Sequence, residues 1–600
     1  MQGRAYQLAL LLTVCLASAA AAVERAELDK GYRVKLEALA AKCDELARPE
    51  EAALTRAWFI ERPADRQVIF VPPERAPQPL AKADERHRQW HAKFLSLRAE
   101  QADALFQLAK DYLAAGDATR SFQALYETLR ENPDHAEARA VLGYRKADGV
   151  WRVPGASTGV RKASLQHGLI KDFRPGAYWR VTTPHFQIAT SAGTDAGQKF
   201  GDQLEMLYTV WRQVFFNYWS SAEELQERFA RPAVEPKLKK PFDVVLFKNR
   251  DEYLANLASA EPQLAITQGF YSDKKSTAFF FAGDAAKTAA ICNHEVTHQL
   301  FQESSDAARD IGARGNFWIV EGIALYMESL RTFEHAGRLD HVTLGGWDAD
   351  RLQFARHHVF NGRFQMPLAD LTAFTREGLQ KDKDIKRLYS QSAGMAHYLM
   401  DGASGKHREA TVKYLSGVYA GHDDPDLLAK LTETPFAGHD HAYRDYLQVR
   451  DEDLLAIKSP ERIRNLCLGL QPISDAGLAK VGGCTNLQWL DLAASKVTDT
   501  GLAHLAGLKK LDQLNLEQTA ASDATLALLG KLPQLRELDL SGTAITDTGL
   551  AKLAPLTNLE VLWLTGTPIT DASLPILQRF KKLKTLDLDG TKLSDAAKAK

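Results

Sequence analysis

A 24-residue step dominates the C-terminal part of this chain and constrains its fold more than any other feature. Leu487, Leu490 and Leu492 recur as Leu511/Leu514/Leu516, Leu535/Leu538/Leu540, Leu559/Leu562/Leu564 and Leu583/Leu586/Leu588. An earlier copy opens at Ile463/Leu466/Leu468. Asp475, Asp499, Asp523, Asp547, Asp571 and Asp595 keep the same step, each after a Ser or Thr, the order expected where a hydroxyl caps a helix. One such unit cannot bury an apolar face alone, so six of them stack into a solenoid. Thr519, Thr543, Thr567 and Thr591 fall at one place in the unit, where their hydroxyls can bond turn backbone.

The period and leucine placement resemble leucine-rich repeats, over residues 460–600. In such repeats the residues between the strand leucines point onto the concave face. Here these include Trp489, Asp491, Asn515, Glu517, Glu537, Asp539, Trp563, Asp587 and Asp589. The expectation is an acidic, tryptophan-bearing surface that takes a basic segment of a protein partner, with a merely solvated face as the alternative.

A length of 600 residues predicts about four domains. A net charge of -1 and ordinary globular composition give no support for nucleic acid as a partner. Residues 1–22 place Arg4 before a short apolar run, Leu8–Ala22, ending in small residues. That pattern predicts a secretory signal, and hence an exported protein with no membrane span after its removal; an uncleaved N-terminal anchor is the alternative. Cys43, Cys292, Cys467 and Cys484 are scattered and lack CxxC spacing, which points to buried small side chains rather than a disulfide scaffold or cysteine zinc site. Residues 23–155 read as a helical region. Within it, about 102–146, Leu105, Leu108, Ala109 and Tyr112 form one apolar stripe, Gly116-Asp117 a turn, and Phe122, Leu125 and Leu129 a second stripe. This hairpin resembles a tetratricopeptide repeat, and as a single copy it must dock on neighbouring helices or the next domain.

Residues 176–450 mix strand and helix patterns. Trp179–Thr190, Phe242–Phe247 and Ser276–Ala282 read as strands, the last either a core strand or one that pairs with an extended substrate. Helices are expected from Asp284 to about Tyr446. His294-Glu295-Val-Thr-His298 puts two imidazoles one turn apart on one helix face, with Glu295 beside them. Glu321 follows, with 22 residues between it and His298, within a second helical segment that can return against the first. Two histidines and one carboxylate suit one Zn2+ ion with a position left for water, and Glu295 suits the general base. Glu328 reads as a solvent-exposed helix residue, with a bond to a ligand histidine as the alternative, and His357-His358 as solvated or packed.

The segments His294-Glu-Val-Thr-His-Gln-Leu and Phe317-Trp-Ile-Val-Glu-Gly-Ile-Ala-Leu-Tyr resemble the gluzincin superfamily, closest to the peptidase MA-like group of exported bacterial proteins. The resemblance implies a multidomain chain: an α-helical N-terminal region, an α+β zincin-type (gluzincin) peptidase domain, and a C-terminal α/β leucine-rich repeat solenoid. It implies His294, His298 and Glu321 as metal ligands, Glu295 as catalytic base, and Tyr389 as the phenol that steadies the oxyanion. The aminopeptidase segment Gly-x-Met-Glu-Asn is missing before the zinc helix, so endopeptidase and exopeptidase remain alternatives. The function expected is an exported zinc metallopeptidase acting on a peptide or protein substrate. A catalytically weak or inactive interaction scaffold on the same fold is the rival.

Overall fold

The computed structural model describes residues 2–71, 84–153, 158–232, 240–258, 268–335, 338–422 and 424–598. The side chains of 1–22, the stretch read as a secretory signal, lie outside the described residues, while its backbone from Gln2 runs into one helix, Gln2–Glu45. No helix among the described residues is long and apolar enough to cross a membrane. The chain divides into two compact units, Met1–Gly345 with Ala403–Thr432, and Gly346–Gly402 with Glu433–Lys600. These boundaries cut across the segments delimited in the sequence. The helical region and the strands after Tyr178 share the first unit, whereas residues 346–402 belong with the repeats.

The first unit is organised around a six-stranded sheet. Its order is Gly159–Lys162, Trp179–Thr182, Phe186–Thr190, Phe242–Phe247, Thr277–Phe281 and Gly269–Ser272. Phe242–Phe247 pairs in parallel with both of its neighbours, and its pattern of four consecutive buried residues at the end marks a strand covered on both faces. Thr277–Phe281 lies inside the sheet, between Phe242–Phe247 and Gly269–Ser272. The substrate-pairing alternative for Ser276–Ala282 is therefore corrected: its backbone groups are taken on both sides, and the edge strand beside it is Gly269–Ser272. The helix Thr194–Val214 packs on one side through Leu204, Leu207 and Val210, all fully buried.

The helical hairpin is present as Glu85–Ala114 and Ala118–Glu131, longer in its first arm than the repeat-like segment. Asp84 and Asp117 cap the two helices by accepting from His87 N and Arg120 N. Gly116, at φ 81°, makes the turn in a conformation glycine adopts without strain. Leu105, Leu108, Phe122, Leu125 and Leu129 bury against one another and against Phe216 and Leu225, which is the docking a single hairpin requires. Strands not anticipated include Arg66–Phe70, which pairs with Arg338–Gly345, which also pairs with Arg331–His335, all inside stretches read as helical.

In the second unit the repeats form a six-stranded parallel sheet, from Asn465–Cys467 to Thr585–Asp587, each strand in 24-residue register with the next. Their leucines make one continuous core. Ser474, Thr498, Ser522 and Thr570 cap the following turn by accepting from the N–H two residues on. The helix Asp350–Phe360 lies on the first strands: Phe354 stacks on Trp489 at 5.2 Å, and His357 Nδ1 and Asn361 Nδ2 reach Asp491 Oδ2 at 3.0 and 2.7 Å. This corrects one expectation: Asp491 is fully buried rather than open on the concave face. His357 is packed, one of its two readings, against Trp489 and Asp491.

Candidate metal centre

Two helices of the first unit bring the candidate ligands together. Ala285–Glu303 turns Cys292, Val296 and Leu300 into the core, all fully buried, while His294 and His298 share another face. Phe317–Met327 is buried along its whole length, so its glutamate is carried into the interior by an apolar helix. Its entry is fixed by Asn316, which sits at φ 59° with its side-chain oxygen accepting from the Tyr414 hydroxyl at 2.6 Å.

His294 Nε2 and His298 Nε2 face each other at 3.2 Å. Glu321 Oε2 stands 3.5 Å from the first and 3.7 Å from the second. Tetrahedral corners about 2.0–2.1 Å from a zinc ion lie about 3.3–3.4 Å apart, so the three atoms have the spacing such an ion imposes. The donor set, two imidazoles and one carboxylate, also suits zinc in a site that keeps an open position. On its far side His294 Nδ1 meets Glu328 Oε1 at 3.0 Å, which fixes the ring and presents Nε2 inward. Burial opposes a charge on His294, but Glu321 and Glu328 outweigh it and raise its pKa to about 10. Glu321, although buried, is held well below the ordinary carboxylate range by the two histidines. Metal binding must therefore displace a proton held between them.

Glu295 accepts from the backbone N–H of Tyr271 at 2.9 Å, so the edge strand of the sheet positions it. The Tyr271 hydroxyl in turn donates at 3.2 Å to Glu303, at the end of the same helix, Ala285–Glu303. Four of the five expected site residues thus meet in one place. Tyr389 lies half-buried on Ile385–Gly405, in the part of that helix belonging to the second unit.

Of the two readings of Glu328, exposed to solvent or bonded to one of the paired histidines, the structure shows the second. The available signal was its spacing: Glu328 follows Glu321 by two helical turns, hence on one face. The Tyr271 contact is made by backbone and leaves no trace in side-chain identity.

A second cluster, His357, Cys467 and Asp491, gathers within 4.8 Å in the second unit. Asp491 there already accepts from His357, Asn361 and Ala493 N, which accounts for the cluster as a hydrogen-bonded anchor. Cys43, Cys292, Cys467 and Cys484 are free and buried, as expected.

Comparison with known proteins bears on the C-terminal part. The family described as Leucine Rich repeats (2 copies) matches residues 533–575. Among solved structures the chain is similar to internalin C2 from Listeria monocytogenes, at 26% identity over 24% of this chain and 68% of that one, with a TM-score of 0.19. No curated protein matches the chain. The chain therefore carries leucine-rich repeats near its C-terminus, joined to a helical N-terminal region.

Proposed function

We propose that the chain is an exported zinc-dependent peptidase, with His294, His298 and Glu321 as ligands and Glu295 as general base. The observation that carries this reading is the convergence of His294 Nε2, His298 Nε2 and Glu321 Oε2 at 3.2–3.7 Å beside a carboxylate held by backbone. Zinc in this position supplies a Lewis acid for the scissile carbonyl and an acidified water. Glu295, with one oxygen fixed by Tyr271, accepts the water's proton and returns it to the leaving amine. Glu328 keeps His294 in the tautomer that points Nε2 at the ligand set. The leucine-rich repeats bind a protein partner or substrate.

The same repeats favour a second reading, an interaction scaffold built on an inactive peptidase fold. One comparison separates the two. Purified full-length protein with zinc is expected to cleave casein or a peptide library, and Glu295→Gln to lose about 100- to 10,000-fold in rate while keeping its zinc. Absence of cleavage in metal-loaded wild type, or equal cleavage by Glu295→Gln, overturns the peptidase reading and leaves the scaffold.

A further inference from the structure

A cavity of about 270 Å³ lies in the first unit, away from the histidine pair, between the helical hairpin and the strand Arg66–Phe70. Five arginines line it, Arg25, Arg62, Arg66, Arg120 and Arg408, against one carboxylate, Glu127. Glu127 serves two of them: Arg25 holds it with both terminal nitrogens at 2.8 and 2.7 Å, and Arg62 at 2.5 Å. Asp29 and Asp65 pair with Arg25 and Arg66 at 2.9 Å, and Asp117 with Arg120 at 3.4 Å, all three from outside the cavity lining. The lining is thus a concentration of guanidinium groups around one shared anion. Guanidinium forks match carboxylate geometry, and desolvation strengthens the pairing.

A second feature of the cavity points to a ligand independently of charge. Gln67 and Gln213, 5% and 0% exposed, both line it. Each uses its amide nitrogen, Gln67 on the Tyr326 hydroxyl at 2.9 Å and Gln213 on Phe70 O at 3.0 Å. Each leaves its side-chain oxygen buried and without a donor. A buried acceptor left unmade costs about 1–3 kcal/mol, so the site calls for hydrogen-bond donors as well as an anion. The volume sits near the small end of ligand pockets, which begin at about 300 Å³.

We propose that this cavity binds a small organic carboxylate that also carries N–H or O–H donors, the carboxylate meeting Arg62 and Arg120 and the donors meeting Gln67 and Gln213. Arg120 is half exposed at the rim, with its side chain 44% accessible, and stands where an entering anion is first met. Arg62 completes the inner grip while Glu127 stays paired with Arg25 when Arg62 is changed.

Titration calorimetry on full-length protein tests this, with a panel of small amino- and hydroxy-carboxylates, each beside its primary amide, and inorganic phosphate. At least one carboxylate is expected to bind saturably where its amide does not. Arg62→Gln and Arg120→Glu are expected to weaken that binding about ten-fold or more. Unchanged zinc content and an unchanged circular dichroism spectrum in both variants show that they fold. Failure of every carboxylate to bind, equal binding of the amides, binding of phosphate alone, or full affinity in folded Arg120→Glu overturns the assignment.

Discussion

At the scale of single residues, the candidate centre depends on how each imidazole is held. His294 is gripped from both ends, by Glu328 at Nδ1 and by the ligand group at Nε2. Glu328→Gln keeps a hydrogen bond but removes the charge that makes the ring a strong ligand. Zinc affinity, measured by competition with a chromogenic chelator, is expected to fall about 10- to 100-fold. Equal affinity would show that Glu328 only packs. Most of this centre was legible in the chain, because ligand spacing on a helix is set by 3.6-residue geometry. Glu328 was legible only as an alternative, and the Tyr271 N–H was not legible. The first needs the return angle of the second helix, and the second depends on which edge of a sheet faces a helix.

At the scale of elements, the repeats use their aspartates differently from a simple capping pattern. Asp475 accepts from the N–H and hydroxyl of Thr498 in the next unit at 2.8 and 2.7 Å, and Asp499 does the same with Ser522 at 2.9 and 2.5 Å. Asp523, Asp547 and Asp571 continue the ladder to Thr546, Thr570 and Ser594. Gly501 and Gly549 leave room for it: a Cβ at either would collide with the preceding repeat's aspartate, and one at Gly477 with Asp451, just ahead of the repeats. Where Thr525 and Ser573 stand instead, their hydroxyls bond that aspartate. The period and the leucines were readable from sequence because burial repeats them, whereas this ladder joins residues 23 apart and shows only as a repeated pair of letters. Thr519, Thr543 and Thr567 bond backbone as expected, each to the carbonyl three residues before it.

The ladder has an acid signature. Burial disfavours ionised Asp499 and Asp547, but the hydroxyls and N–H groups of the next unit outweigh it and hold both below the ordinary carboxylate range. The unfolded chain then takes up protons first. The stability they contribute is complete above about pH 3.9 and drains as pH falls below it. Asp539 and Glu517 run the other way, raised by burial and by neighbouring carboxylates, so their cost is relieved as pH falls. Calorimetric unfolding is expected to show a flatter acid limb in Asp499→Asn and Asp547→Asn, and a higher midpoint at neutral pH in Asp539→Asn. A limb unchanged by the first pair would remove the ladder from the account.

At the scale of the whole molecule, the N-terminal helices are structural parts of the first unit. Glu131, buried, accepts from the Tyr32 hydroxyl at 2.9 Å and the Trp58 indole at 2.9 Å, and pairs with Arg130 at 2.9 Å. Arg130 goes on to Asp340, at 2.8 Å, on the strand that pairs with Arg66–Phe70. Glu131→Ala strips Tyr32, Trp58 and Arg130 of their shared buried carboxylate, leaving Arg130 with Asp340 as its remaining one, and is expected to cost about 3–5 kcal/mol, read from urea unfolding of the full chain. A cost under about 1 kcal/mol would make these helices dispensable. Composition and hydropathy outlined the segments but not this division, since pairs such as Arg130–Asp340 join distant stretches that look independent when read in order. The helix Asp350–Phe360 draws the same lesson for anyone handling the repeats alone. A fragment cut to begin at residue 460 would lose the lid on its first coil and bare Trp489 and the carboxylate of Asp491 to water. Such a piece is bound to self-associate on a sizing column, whereas the intact chain keeps that end sealed.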